Sequence, residues 1–188
     1  DLAWSRGLGD VYKRQISSLC TCTCTLEMAM DNNRNGALAK QPKVKCFGSK
    51  AALCAEATFS PKDSGGVPTI NLEVAPRHGP EVAWDRKIVI QLSDSELPVA
   101  CSVLMGYIAS LHIKRPGKGI EIERQANKLF VRASAGEGNL FMLPVTIGDT
   151  FRLSAIMLRQ LTKQAGLSDE TLVLAALRGA ASLYCRDN

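Results

Sequence analysis

Twice along this chain a run of short alternating segments gives way to a helical repeat, and that double change of period constrains the fold more than any other feature. In a strand apolar residues recur at every second position, and on a helix at every third or fourth. Lys43 to Phe47, Ala51 to Phe59, TINLEVAP (69–76) and RKIVIQL (86–92) read as four strands joined by short links, an antiparallel meander. Ser93-Asp94-Ser95-Glu96 then has the form of a capping box, in which serine and glutamate satisfy each other's backbone N–H groups. Val99, Val103, Leu104, Tyr107, Ile108 and Leu111 follow at helical spacing, which predicts a helix running to about Leu111. HIKRP, GIEIER, KLFVRA and NLFMLPV repeat the strand pattern. Thr146 to Asp149 repeats the cap with Asp for Glu, and Phe151, Leu153, Ile156, Met157, Leu158 and Leu161 mark a second helix. The expected class is α+β, a tandem ββββα repeat. An extra C-terminal helix from near Ser168 towards Tyr184 is expected to pack on its own domain or on a neighbouring subunit.

With 188 residues, 46% of them hydrophobic, the chain suffices for one domain with a core and is short for two. The opening DLAWSRGLGDVYKRQ resembles a translated sequencing-adapter run, and the CTCTCT tract after it reads as low-complexity readthrough. Residues 1–27 are therefore set apart as artefact or disordered leader, with Met28 or Met30 as plausible starts and a transit peptide as the competing reading. Residues 28–42 read as a disordered tail, 43–164 as the domain and 165–188 as the C-terminal helix.

The wet faces of the strands carry the functional signal. Lys43, Lys45 and Phe47 point one way and Val44 and Cys46 the other. Lys128, Phe130 and Arg132 share a strand face in the second half, opposite Leu129, Val131 and Ala133. From His112 to Arg132 there are six Lys/Arg, Lys114 among them, against two Glu. That surplus of four makes up most of the chain's formal +5. Aromatic faces stack unpaired bases at about 1–3 kcal/mol each while cations follow the phosphates. The plain alternative is a solvated face with one exposed Phe.

Other chemistries find little support. Cys20, Cys22 and Cys24 lack zinc-site spacing, and His78 and His112 are the only histidines. Cys46, Cys54 and Cys101 fall in apolar runs as small core residues, and no disulfide framework is visible. There is no phosphate-binding loop, no dinucleotide glycine run and no nucleophile motif, so neither catalysis nor a cofactor nor a metal is expected. Glu121 and Glu123 share a strand face as surface pairs do. No apolar run would span a membrane, and no secretory signal is recognisable.

GSKAAL (48–53) resembles the KGKAAL motif of the plant Whirly single-stranded-DNA-binding proteins; Lys50 to Leu53 match, and Gly48 and Ser49 replace the family's first Lys and Gly. INLEVAPRHG resembles the family's strand ending in an F-A-P turn. WDRKIVIQLSDSELPVACSVLMG is similar to its W-x-R-K strand and following helix, with Trp84, Arg86 and Lys87 aligned. LPVTIGDTFRLSAIMLRQL is similar to its final strand and helix, including Pro144 and Phe151. The likeness covers about Lys43 to Leu161 and leaves out the C-terminal helix.

That resemblance implies two packed antiparallel sheets with helices, a homotetramer, and single-stranded DNA lying along the sheets with little sequence specificity. Kinetoplastid guide-RNA-binding proteins share the architecture, which makes RNA the alternative ligand. The implied role is DNA protection, repair or recombination, nucleoid-associated in a bacterial cytoplasm or organellar in a eukaryote. A transcription-regulating protein, or an assembly module acting through the C-terminal helix, is the alternative. The expected surface comprises Lys43, Lys45, Phe47, Lys50, Trp84, Arg86, Lys87, Lys114, Lys128, Phe130 and Arg132. For Trp84 the alternative is a core anchor.

Overall fold

The longest pairing in the molecule joins β2 (Ala51–Ser60) to β3 (Val67–His78), in register from Ala51↔Pro76 to Ser60↔Val67. The computed structural model describes residues 41–61, 66–136 and 138–184. The leader and nearly all of the tail read from the sequence lie outside the described residues. On one side of the β2–β3 ribbon lies β1 (Lys43–Phe47), and on the other β5 (Ile88–Gln91), all antiparallel. A two-residue strand β4 (Glu81–Val82) folds back on the end of β3, and a 3₁₀ turn over Trp84–Arg86 leads into β5. The first four-strand group therefore has one addition, and its fourth main strand starts at Ile88 rather than Arg86.

Alternation decides which face of this sheet is dry. Cys46, Leu53, Val74 and Ile88 form one inward row, and Val44, Ala55, Leu72 and Ile90 the next. Most are buried, and Val44 packs against the same cluster. The second sheet runs β6 (Ser110–Arg115), β7 (Lys118–Arg124), β8 (Leu129–Ser134) and β9 (Leu140–Val145) in simple antiparallel order. Leu111, Ile122, Val131 and Leu143 are its central inward row. Both inward faces join one hydrophobic cluster. The chain is thus an α+β protein of two antiparallel sheets and three helices.

Helix α1 (Glu96–Met105) starts as expected: the Ser93 N–H donates to Glu96 Oε2 at 2.9 Å, and the Glu96 N–H donates to Ser93 Oγ at 3.2 Å. It ends six residues earlier than the periodicity suggests. Gly106 takes φ 78°, and the backbone N–H groups of Gly106 and Tyr107 donate to Val103 O and Ser102 O, closing the last turn. The Arg124 guanidinium also donates to Leu104 O at 2.9 Å. Ile108 and Leu111 are both buried all the same, Ile108 from the bend after the helix and Leu111 from β6.

Helix α2 (Ile147–Gln164) is capped by Thr146, whose Oγ1 accepts from the Asp149 N–H at 3.2 Å. It packs on β3, β1 and β2, while α1 packs on α2 and on β6 and β7. Helix α3 (Glu170–Tyr184) lies against α1 and α2 through Val173, Leu177 and Ala181.

Candidate functional site

Phe47 is half exposed at 52% although it sits in a strand whose neighbours are buried, because it faces outward. Its row continues with Ala52 and Ala75, both fully buried, so the ring is the exposed member of that row. The Arg77 guanidinium lies 5.7 Å from the ring centroid and donates to Gly48 O at 2.9 Å. The next outward row is Lys45, Cys54, Glu73 and Val89. Lys45 Nζ lies 4.9 Å from the centroid of Trp84. Trp84 is half-buried in the 3₁₀ turn, none of whose residues is buried, so it is no core anchor. Lys87 Nζ is 2.7 Å from Glu73 Oε1 and is therefore partly neutralised. Lys43, Lys50 and Arg86 are exposed and have no ion-pair partner among the described residues. Seven of the eleven expected residues thus gather on this first-sheet surface: Lys43, Lys45, Phe47, Lys50, Trp84, Arg86 and Lys87.

The other four belong to the second sheet. Phe130 and Arg132 both face outward, and the guanidinium lies 5.2 Å from the ring centroid, repeating the cation–aromatic motif. Here the cation is spoken for. Arg132 is 3.1 Å from Glu121 and 3.7 Å from Glu123, and Glu121 also lies 3.7 Å from His112 Nε2. Both glutamates that offset the local cations thus lie at Arg132, so this particular cation is the one neutralised. Lys114 stays exposed on β6. Lys128 precedes β8 and lines a hollow with Arg124, Ile147 and Thr150.

A further set of residues escaped the sequence reading. The edge of β1 that pairs with no other strand among the described residues forms one wall of a groove, with Lys43, Lys45 and Phe47 on its rim, and α2 supplies the other wall through Phe151, Arg152, Ile156 and Arg159. Phe151 is 74% exposed and does not share the buried stripe of its helix. The signal was available: two residues apart on a helix means roughly 200° apart, so Phe151 cannot lie on the face of Leu153. Arg152 is paired with Asp149 and donates to Lys45 O at 3.4 Å, covering part of the exposed strand edge.

Buried thiols are no alternative focus. Burial pushes Cys46 and Cys101 up to about 12 and raises Cys54, so all three stay protonated near neutrality. Among the described residues no cluster of His, Cys, Asp and Glu could hold a metal ion, and no helix is long and apolar enough to cross a membrane.

No protein-family model matches the sequence, and no curated protein matches it. Among solved structures, the chain is similar to MRP1/MRP2 of Trypanosoma brucei at 11% identity and a TM-score of 0.48, over 66% of this chain and 94% of that chain. It is similar to a guide-RNA-binding protein complex bound to a gRNA at 9% identity and a TM-score of 0.44, over 61% of this chain and 94% of that chain. Neither likeness assigns this chain a ligand. The Whirly resemblance rests on the motifs that carry it.

Proposed function

We propose that this protein binds single-stranded nucleic acid on the outward surface of its first sheet and is not an enzyme. The observation that carries the reading is the placing of Phe47 and Trp84, each with a cation at its ring, among Lys43, Lys50 and Arg86, which have no ion-pair partner among the described residues. Rings take up bases only where the bases are unstacked, and unpaired cations release counterions from the phosphates. Together these favour an open strand over a duplex. DNA is named first because GSKAAL and the Trp84-Arg86-Lys87 segment resemble Whirly motifs. Rings and point charges do not sense a 2′-hydroxyl, so RNA is the second reading. A homotetramer and a role in DNA protection, repair or recombination go with the same family reading. An assembly module is the competing class, and it draws on Leu172, Leu183 and Tyr184, which α3 leaves exposed.

Fluorescence anisotropy tests this with a labelled strand of about 30 nucleotides, well beyond the ~4–16 of one binding module. Single-stranded DNA, duplex DNA and single-stranded RNA are each compared across a salt series. Single strands should bind more tightly, with an affinity that falls steeply with salt. Absence of binding at low salt, or equal binding to duplex, would overturn the proposal. Tighter binding of RNA would keep the surface and change the ligand.

A further inference from the structure

We propose that the bound strand continues over the outer edge of β1 into the groove against α2, where Phe151 is a second stacking platform and Arg159 a phosphate contact. This rests on the reading of the first-sheet surface as a single-strand site. Three observations carry it.

The groove is continuous with that surface, since Lys43, Lys45 and Phe47 line both. A strand stacked on Phe47 therefore lies beside the groove.

The groove's charge fits a polyanion. Lys43, Lys45, Arg152 and Arg159 line it, and none of its lining residues is a carboxylate. Arg152 is engaged by Asp149, whereas Arg159 has no ion-pair partner among the described residues. Its deeper lining is apolar, from the half-buried Val44 and Ile156, and the 74%-exposed ring of Phe151 lines it as well. Phe151 and Arg159 are eight residues apart on one helix, about 12 Å along its axis. That length admits a few nucleotides at the ~3.4 Å spacing of a stacked strand.

The edge is partly engaged against the other usual occupant. A peptide adding to a sheet edge needs the edge carbonyls. The Lys45 carbonyl already accepts from Arg152. A nucleic acid makes no such demand, because it uses rings and cations.

The test compares the full chain with Phe151→Ala, Arg159→Ala and the double variant, using oligo-dT and oligo-rU of about 30 nucleotides. Both side chains are exposed, so thermal melting should be unchanged. The double variant should bind about tenfold or more weakly, occlude fewer nucleotides per protein, and lose about 0.7 from the salt slope with Arg159. The DNA and RNA arms show which backbone enters the groove. Wild-type binding with unchanged affinity, slope and site size in the double variant would overturn the groove while sparing the sheet surface. Absence of wild-type binding would overturn both.

Discussion

Lys45 Nζ stands 4.9 Å from the centroid of the Trp84 ring, tying the first strand to the turn that precedes β5. A cation at that distance is held by the ring's quadrupole, worth about 0.5–1 kcal/mol where solvent reaches it. The lysine is thereby oriented beside an indole that is half open to solvent.

If Trp84 stacks a base, its emission should be quenched as a single strand is titrated in, and Trp84→Phe should abolish that change while retaining most affinity. Trp84→Ala should cost about 1–3 kcal/mol of binding. An unchanged dissociation constant for Trp84→Ala would remove the indole from the site.

Lys50 and Arg132 should behave oppositely under salt. Lys50 is exposed and unpaired among the described residues, so Lys50→Ala should weaken binding and lower the slope of log K against log salt by about 0.7. Arg132 already faces Glu121 and Glu123, so Arg132→Ala should change affinity less than twofold. A salt series on both variants decides it, and the reverse ranking would move the main site to the second sheet.

Glu96 should make stability acid-sensitive. Burial alone would raise its carboxyl, but hydrogen bonds from Arg115, at 2.9 and 2.5 Å, and from Ser93 outweigh burial and hold it below its ordinary 4.5. A carboxylate lowered in the folded state contributes stability that is fully present above 4.5 and is lost as pH falls through the lower folded value. Urea midpoints should show Glu96→Gln less stable than wild type at neutral pH, with the gap closing in acid. Ser93→Ala should cost about 1 kcal/mol. A gap that stayed constant with pH would contradict the ion pair.

Gly48 should tolerate no side chain. A Cβ there would lie 2.9 Å from Leu143 Cβ and 3.1 Å from Ala51 O, neither of them the far end of a flexible chain. Gly48→Ala should destabilise by about 1–3 kcal/mol, as overpacking does, measured by thermal or urea unfolding. It is also a physical reason why the Lys that opens the KGKAAL motif would not fit here.

Local patterns were legible from the sequence because they are set within a few residues. The strand alternation, both caps and the tandem order all follow from backbone geometry and neighbouring side chains. So did the outward facing of Lys43, Lys45 and Phe47, since alternation fixes faces once one side is dry. The end of α1 was not legible, because Ile108 and Leu111 continue its helical spacing, while Gly106 with Arg124 ends the helix before them and leaves Ile108 in a bend and Leu111 in β6. Which cations stay free was a matter of tertiary structure alone: Arg132 and Lys50 look alike in sequence, and only strand register sets Glu121 opposite Arg132. The groove belongs to the same class. Phe151 and Arg159 lie more than a hundred residues from Lys43, and only the packing of α2 along β1 makes them walls of one channel.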